Sequence, residues 1–571
     1  MRGGHRSSIE KCDLIENLFA GFDSIEAGKH SRGFLRRGRR LGRKAFAFIA
    51  GLLTSITLTE NGVGSLAAEE FHSPAISVVH VDWRAALDQV RSELGAAPAV
   101  AADFVFVSRH RLPAFDQRSR PALVQLNAVT SRLFSGISRS TVPVLLPFDT
   151  ASYLEAQRSG TEAALPLSSY QADFRPVDLF DAGPSGYDAI FALEPGAGSG
   201  LPPRTFARPV EVQITGSLLI YDISDPTGGK GEPVKSLAAQ YPDLRRFIRE
   251  GYVRYAFTRF GVPYVVSIQC LDSVPRTRRL ACREAYPIAE HFLKALHVAG
   301  GQPARTPTEI PPMPAERPVA QSPDFSFRPT GDILASSAGR KGSGRADFNV
   351  YSQIRFPLNA PAFMHSQARR RSADNSDQPD AFYPWRDNFC EARSFSVGQC
   401  PTGFGHQGED IRPAPCPAGS DPGICDPRKQ PIFAVRDGVL IRSLRQQAAT
   451  LQVNTQTEHI RFRYMHMNPS VMDADSVLNG RAVNEGEQLG VVSNYLDHPN
   501  GTTRHLHFDV QVFTRDGWLW VSPYVTLISA YERLINGRGR EIGPEIAGTP
   551  AGAPATPQEI AHPDPLEGSE N

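Results

Sequence analysis

The sequence predicts an α+β N-terminal domain followed by an all-β C-terminal domain with an antiparallel β-sheet core. The chain has 571 residues, which is more than one domain usually contains. Its 48 glycines and 47 prolines favour turn-rich β structure over a helical protein. Apolar and polar residues alternate most clearly in HIRFRYMH and HLHFDVQVF, and both segments lie toward the C-terminal end.

The charge balance gives no indication of an anionic partner. The chain carries 61 Lys and Arg against 60 Asp and Glu, so its formal net charge is +1 at pH 7. A chain this close to neutral has no overall basic field to attract nucleic acid or an anionic membrane surface. We therefore expect no nucleic-acid partner.

Residues 1–68 have the order of a secretory leader. A basic run at 36–44 precedes an apolar run at 45–58, and a small-residue site follows at 65–68. A bilayer span needs roughly 20 apolar residues, which favours a signal peptide over an uncleaved membrane anchor. A buried core helix is the third interpretation. We expect export to the periplasm or cell envelope, with anchoring to the inner membrane if 45–58 is retained.

Six cysteines remain once Cys12 of the leader is set aside. Their even number and close spacing predict disulfides formed in an oxidising compartment. The simplest connectivity joins neighbours, as Cys270–Cys282, Cys390–Cys400 and Cys416–Cys425. A zinc site made of four cysteines is the alternative, but none of the spacings is C-x₂-C or C-x₄-C.

Residues 70–300 are predicted to form the α+β domain. The candidate strands are Phe104–Ser108, Val142–Leu146, Val212–Ile223 and Tyr264–Gln269, and the candidate helices are Trp83–Leu94 and Tyr286–Val298. No metal-ligand spacing, phosphate loop or nucleophile motif stands out in this domain. The sequence therefore does not indicate its function.

Two segments around the second domain are predicted to be unstructured. Residues 301–345 begin with a proline-rich stretch that has almost no large apolar side chains, so it cannot bury enough surface to fold. Residues 539–571 are rich in proline, alanine and acidic residues. We expect the first segment to be a linker and the second a disordered tail.

The second domain is predicted to span 346–538, with its core at 400–530. Short β-type runs separated by turn residues occur at Ile432–Val435, Val439–Ser443, Thr450–Val453, His459–His466, Leu489–Val492 and His505–Phe513. Runs of this length and alternation predict antiparallel strands that pack one face on a core.

Two histidine-bearing segments of this domain supply candidate metal ligands. Residues two or four apart share a face of an extended strand, so His505 and His507 point the same way, as do His406 and Asp410. Zinc accepts imidazole nitrogen and carboxylate oxygen, and a catalytic zinc keeps three protein ligands and one position for water. One Asp and two His satisfy that number. Strand parity alone leaves open which histidine of the pair 505 and 507 binds the metal.

Five motifs follow one another in this domain. They are H-x-G-x-D from His406, A-x-x-D-G-V from Ala434, Y-x-H-M around His466, V-x-x-G-x-x-x-G from Val483, and HLHFDV from His505. Their order and spacing over 400–530 resemble the LytM/lysostaphin-type metallopeptidases of the M23 peptidase family. Members of that family use one zinc on an antiparallel β core to cut peptide bonds in bacterial peptidoglycan.

The resemblance implies a role for each matching residue. His406, Asp410 and His507 would bind Zn²⁺, while His466 and His505 would form the catalytic pair that handles protons and stabilises the oxyanion. All five positions are filled, which favours an active enzyme over the degenerate family members that regulate other wall hydrolases. His459 and His498 match no position of the family, and the resemblance gives them no role.

The resemblance further implies an exported zinc metalloendopeptidase that cuts stem or cross-bridge peptides of peptidoglycan during cell-wall remodelling or lysis. Two alternatives stay open: a catalytically silent regulator that activates another wall hydrolase, and a peptidase that acts on proteins. Beside the ligands, strand parity predicts that Glu409 points away from the metal. Asp509 shares the parity of His507 and is either an acceptor behind it or a solvent-facing acid, of which we favour the second.

Overall fold

The computed structural model describes residues 71–93, 114–159, 166–194, 201, 206, 209–223, 231–249, 251–270, 280–304, 323–333, 344–359, 362–364, 385–413, 430–495 and 504–543. These residues belong to one compact unit, which spans 67–571. The apolar run at 45–58, the strand predicted at Phe104–Ser108 and the pair Cys416–Cys425 lie outside the described residues. No helix within the described ranges is long and apolar enough to cross a membrane.

The first half mixes helices with antiparallel strands. Its helices are α1 (Trp83–Glu93), α2 (Ala114–Thr130), α3 (Thr150–Ser159) and α4 (Ala285–Lys294). Its strands are β1 (Ile76–Val78), β2 (Val144–Leu146), β3 (Phe174–Gly183), β4 (Gly186–Leu193), β5 (Glu211–Ser217), β6 (Leu219–Tyr221), β7 (Glu232–Pro233), β8 (Arg245–Arg249), β9 (Tyr252–Arg259), β10 (Val262–Gln269) and β11 (His297–Gly300). The helix predicted from Tyr286 to Val298 therefore ends at Lys294, and its last residues form a strand.

A seven-stranded antiparallel sheet organises this half, in the order β3-β4-β5-β10-β9-β8-β7. Strands β9 and β10 are joined by Phe260 and Gly261, whose φ angles are 55° and 76°. Two left-handed residues make the tight hairpin turn whose twist suits a right-handed strand pair. Helix α4 packs on the sheet through buried Ile288 and Phe292, which belong to the apolar core of this half.

Two of the predicted cysteine pairs form disulfides. Cys270 is joined to Cys282 beside α4, and Cys390 is joined to Cys400 in the second half. Four of the six cysteines are therefore disulfide-bonded, which removes the alternative of a zinc site made of four cysteines. Two disulfides are typical of a protein that folds in an oxidising compartment.

The second half is mostly β structure. Its strands are β12 (Phe325–Phe327), β13 (Ala362–Met364), β14 (Glu409–Pro413), β15 (Pro431–Phe433), β16 (Gly438–Ile441), β17 (Ala449–Asn454), β18 (His459–Met465), β19 (Ala482–Val483), β20 (Gln488–Val491), β21 (Leu506–Thr514), β22 (Gly517–Val521) and β23 (Gly539–Glu541). Its helices are α5 (Pro469–Ala474) and α6 (Tyr524–Ile535). This half is therefore mostly β structure, as predicted, with the two helices α5 and α6 added to the sheet.

An antiparallel sheet carries the histidine segments, and its strands run β13-β14-β21-β18-β17-β16-β19, with β22 also paired to β21. One face of β21, made by Leu506, Phe508 and Val510, lies in the apolar core of this half together with residues of α6. The other face therefore carries His507 and Asp509. The strand alternation that the sequence predicts thus separates an apolar face from a polar one.

The predictions of an unstructured linker and tail fail at two short segments. Strand β12 falls inside 301–345 and β23 falls inside 539–571, yet the two pair in parallel, with Phe325 opposite Gly539. Phe325 and Phe327 are buried in the core of the second half. Their aromatic side chains supply the apolar burial that the proline-rich stretch before them lacks.

The two halves meet across a buried polar network centred on Asp188 of β4. Thr215 Oγ1 and Arg461 Nη2 donate to Asp188 Oδ1 at 2.6 and 2.9 Å, and His459 Nε2 lies 2.7 Å from Asp188 Oδ2. His459 Nδ1 lies 2.7 Å from Ser217 Oγ. All five residues are buried. The N-terminal half therefore holds the first residue of β18, and His459, which matches no family position, has this structural role.

Candidate metal centre

Asp410 and His507 face each other on neighbouring strands. The register of β14 on β21 places Asp410 directly opposite His507, and the register of β18 on β21 places Met465 opposite His507 from the other side. Directly opposed residues of an antiparallel pair point to the same face. The ladder thus brings the carboxylate and the imidazole together on the polar face of the sheet.

His406 reaches the same point from a loop that is closed by a disulfide. Cys390 N donates to His406 O and His406 N donates to Glu391 O, both at 2.8 Å, so the two ends of the 390–406 segment are bonded to each other. The Cys390–Cys400 disulfide closes this segment. A Cβ on Gly405 would come within 2.8 Å of Cys400 Sγ, so only glycine fits against the disulfide.

Three side-chain atoms converge at this point. His406 Nε2 lies 3.0 Å from His507 Nδ1, His507 Nδ1 lies 3.1 Å from Asp410 Oδ1, and His406 Nε2 lies 3.4 Å from Asp410 Oδ1. All three residues are buried. Atoms held about 2.0–2.1 Å from a tetrahedral zinc are roughly 3.3 Å apart. The spacing of the three atoms therefore fits a zinc ion without rearrangement.

The remaining atoms of these residues also fit a bound cation. His406 Nδ1 donates to Asn388 O at 3.0 Å, and His507 Nε2 donates to Asp509 Oδ2 at 3.3 Å. Each ring thus uses its outer nitrogen as the donor and turns the lone pair of its inner nitrogen toward the other ligands. Asp410 Oδ2 is buried without a hydrogen-bond partner. Two facing lone pairs and an unsatisfied carboxylate oxygen are what a divalent cation would neutralise.

Charge at the site favours an ionised carboxylate. Burial alone would raise the pKa of Asp410, but the neighbouring His505 and His406 outweigh it and hold that pKa well below its usual range. The His507 pKa is raised: burial opposes the charged form, but bonds to Asp410 and Asp509 favour it more. Protons would therefore compete with a metal for His507 at low pH.

Asp509 is part of the site rather than a solvent-facing acid, so the interpretation that we favoured from the sequence is wrong. The residue is fully buried. Arg463 Nε donates to Asp509 Oδ2 at 2.6 Å, and Trp520 Nε1 donates to Oδ1 at 3.2 Å. Burial raises the Asp509 pKa, but Arg463 and His507 lower it further, so the net shift is downward. A fixed carboxylate behind a ligand histidine sets the tautomer and the orientation of that ring.

Asp509→Asn is expected to weaken zinc binding about 10- to 100-fold, the range found when such carboxylates are removed. The amide keeps the size of the side chain but loses the charge that holds His507 Nε2–H and Arg463. Competition with a chromophoric chelator would measure the change. Asp475→Asn, at an acid of the α5 C-cap outside this cluster, serves as the control. Equal zinc affinities for Asp509→Asn and the wild type would contradict the assignment of Asp509.

Glu409 points away from the metal centre, as strand parity predicts. Asn388 N and Phe389 N donate to Glu409 Oε1, each at 3.1 Å. Burial raises the pKa of Glu409 well above its usual range, and the neighbouring carboxyl of Asp387 raises it further. Glu409 therefore favours its neutral form and supports the backbone that carries Asn388.

The two other predicted histidines lie beside the ligands. His505 Nε2 is 3.3 Å from Asp410 Oδ1, and the His505 ring centroid is 4.6 Å from that of His466. His505 is fully buried, and His466 keeps a small exposed area although its ring is surrounded by protein. Burial lowers the pKa of His466 well below its usual value, and the neighbouring His505 and His507 lower it further. The neutral form of the His466 imidazole is therefore favoured.

The sequence did not single out two further residues of the site. Asn388 accepts hydrogen bonds from two candidate ligands: its backbone O accepts from His406 Nδ1, and its Oδ1 accepts from Asp410 N at 3.1 Å. Gln447 Oε1 lies 2.9 Å from His466 Nδ1. Neither residue belongs to a motif or to the periodic part of a strand, so no local pattern could have predicted its contact.

Opening the Cys390–Cys400 disulfide is expected to weaken metal binding as well as stability. Closing a loop of this length stabilises the fold by about 3 kcal/mol, and the same loop positions His406. The matched control is the pair Cys270–Cys282, which closes a loop of similar length in the first half. Double serine variants of both pairs should lose similar stability in urea, but only Cys390→Ser/Cys400→Ser should bind zinc more weakly. A similar loss of zinc affinity in both variants would contradict the role of the Cys390–Cys400 disulfide in positioning His406.

The chain has only limited similarity to known proteins. No protein-family model matches the chain, and no curated protein matches it. One similar solved structure is a protein of Ruminococcus gnavus provisionally named as a glycyl-glycine endopeptidase, lytM. It is 21% identical with a TM-score of 0.16, over 24% of this chain and 50% of that one. The match therefore spans about half the length of that protein, and at this TM-score it does not establish a fold or an activity.

Proposed function

We propose that this protein is a zinc metalloendopeptidase. The observation that supports this most directly is the convergence of His406 Nε2, Asp410 Oδ1 and His507 Nδ1 in one buried cluster. The two imidazoles are tethered through their outer nitrogens, so the inner nitrogens are free to bind a metal. Two more histidines stand beside the three ligands, which gives the site groups for proton transfer as well as for binding.

In this proposal His406, Asp410 and His507 hold the zinc. When bound, the ion would act as a Lewis acid on the scissile carbonyl and make a nucleophile available near neutral pH. His466, as a neutral imidazole, accepts the proton of the attacking water. His505 lies between His466 and Asp410, where it can donate a hydrogen bond to the developing oxyanion or a proton to the leaving amine.

We further propose that the substrate is a stem or cross-bridge peptide of peptidoglycan and that the protein is exported to the periplasm or cell envelope. The substrate class comes from the motif order over 400–530 and its resemblance to the M23 peptidases. Export is supported by the basic and apolar order of 36–58 and by the two disulfides. Anchoring through 45–58 is part of this proposal if the leader is not removed.

Digestion of purified sacculi by the zinc-loaded full chain tests the function. We expect soluble muropeptides to be released, the release to stop with a chelator and to return with zinc. His406→Ala, which lacks one ligand, should release none. If the loaded protein releases none but accelerates a second wall hydrolase, the regulator replaces the enzyme. If it cleaves an unfolded protein such as casein and leaves sacculi intact, the substrate proposal is wrong and the peptidase proposal stands.

A further inference from the structure

His466 is held in an unusual backbone conformation. It follows directly after β18 with a φ of 68°, a left-handed conformation that is uncommon for a residue with a side chain. Tyr495 N donates to His466 O at 2.9 Å and fixes this turn. The ring lies 4.6 Å from that of His505 and 6.0 Å from that of His507. The surrounding chain thus keeps a strained residue in one position beside the ligands.

Gln447 is the hydrogen-bond partner of this ring. Its Oε1 lies 2.9 Å from His466 Nδ1. An amide oxygen can only accept, so the hydrogen of this bond is carried by Nδ1. A neutral imidazole has one hydrogen, and the second nitrogen, Nε2, therefore carries the lone pair.

Two hydrogen bonds hold the backbone of Gln447 and of its neighbour Gln446 in place. Met467 N donates to Gln447 O at 3.2 Å, and Arg442 Nε donates to Gln446 O at 2.9 Å. Arg442 is buried and also donates to Asp473 Oδ1 at 2.6 Å. The segment between β16 and β17 is thereby fixed to the residues that follow β18 and to α5. The side-chain amide of Gln447 is consequently attached to a backbone that hydrogen bonds hold in place.

We propose that Gln447 is a positioning residue that holds His466 as the Nδ1–H tautomer, so that Nε2 is the atom that takes the proton. Its catalytic consequence rests on the proposed function. In the step itself an O–H bond of water breaks as an N–H bond forms at Nε2, the water oxygen uses the released electron pair to bond the scissile carbonyl carbon, and the π pair of the carbonyl moves to its oxygen. The Nδ1–H bond to Gln447 is kept before and after the transfer, so this contact needs no reorganisation during the reaction.

Three substitutions separate the hydrogen bond from general packing. Gln447→Met has a similar length but no acceptor for Nδ1–H. Gln447→Glu keeps an acceptor oxygen at the same place. Gln446→Met is the matched control. Gln446 accepts the hydrogen bond from Arg442 through its backbone oxygen, which the substitution keeps. All three variants should retain bound zinc, since none removes a ligand.

The tautomer is measured directly by ¹⁵N NMR of the histidine-labelled full chain, in which the His466 signals are those missing from His466→Ala. We expect the Nδ1–H tautomer in the wild type, Gln447→Glu and Gln446→Met, and its loss in Gln447→Met. In peptide cleavage, Gln447→Met should lower kcat about 10- to 100-fold and leave KM unchanged, since a positioned base contributes at least about 100-fold. Gln447→Glu should restore most of kcat.

Two results would overturn the proposal: an Nε2–H tautomer in the wild type, or an unchanged tautomer in Gln447→Met. A fall in kcat that Gln447→Glu does not restore would also count against it. The spectra do not depend on turnover. If the wild-type chain cleaves no peptide, the proposed function fails, while the tautomer in Gln447→Met still decides whether Gln447 positions His466.

Discussion

His507→Ala is expected to abolish both zinc binding and peptide cleavage. His507 Nδ1 lies 3.0 Å from His406 Nε2 and 3.1 Å from Asp410 Oδ1, so it is the atom that joins the other two ligands. Without it, one nitrogen and one carboxylate remain, fewer than the three protein ligands that a catalytic zinc site keeps. Metal analysis after dialysis, together with cleavage of a peptidoglycan peptide, measures both losses.

His505→Ala should lose activity but keep zinc. Comparing it with His507→Ala therefore distinguishes a metal ligand from a group that only transfers protons. His505 lies beside the cluster, yet the three closest ligand atoms are complete without it. We expect His505→Ala to keep stoichiometric zinc and to lose about 10²- to 10⁴-fold in kcat, the usual contribution of a general acid or base. Equal loss of zinc in the two variants would show that these roles are assigned incorrectly.

The part of the site that could be predicted from the sequence is the part that strand alternation determines. The sequence predicts that His505 and His507 share a face and that Glu409 points away from Asp410, and the structure has both arrangements. The proposal of His507 rather than His505 as the metal ligand came from the resemblance to the M23 peptidases and not from strand parity. Residues that act across the fold, such as Asn388 and Gln447, depend on tertiary contacts and could not be predicted locally.

Helix α6 was not predicted, and this also has a physical reason. Its first turns contain Val525, Thr526 and Ile528, all buried, and periodicity alone does not distinguish such an apolar segment from a buried strand. Asp509 shares the parity of His507, and parity alone does not distinguish an acceptor behind the histidine from a solvent-facing acid. The structure instead buries it between Arg463 and Trp520, a pairing that no spacing in the sequence indicates.

Asp188→Ala is expected to destabilise the protein by about 3–5 kcal/mol, the usual cost of leaving a buried cationic partner without its counter-charge. Asp188 bonds Arg461 and His459 at the junction of the two halves, and all three are buried. Urea unfolding of the full chain measures the loss. Asp516→Ala is the control, because its bond to Arg245 crosses the same junction but is more than a third exposed, and its loss should cost under about 1 kcal/mol.

The same network makes the loss of stability on Asp188→Ala depend on pH. Burial opposes ionisation of Asp188, but His459 and Arg461 outweigh it and lower the pKa of Asp188 below its usual range. A lowered folded-state pKa means that the contribution to stability is fully present above the unfolded value and is lost as the pH falls through the folded value. The stability difference between Asp188→Ala and the wild type should therefore be constant near neutrality and shrink below about pH 4.

The Asp188 network also links the N-terminal half to the strand that precedes His466. His459 and Arg461 both belong to β18, the strand that leads into His466. A fragment that begins after residue 304 would lack Asp188, Thr215 and Ser217. The side chains of His459, Arg461 and Trp518 would then lose the hydrogen bonds they make to these three residues. We expect such a fragment to be less stable than the full chain and to bind zinc more weakly. A fragment with full zinc affinity and unchanged stability would show that the N-terminal half does not support the metal centre.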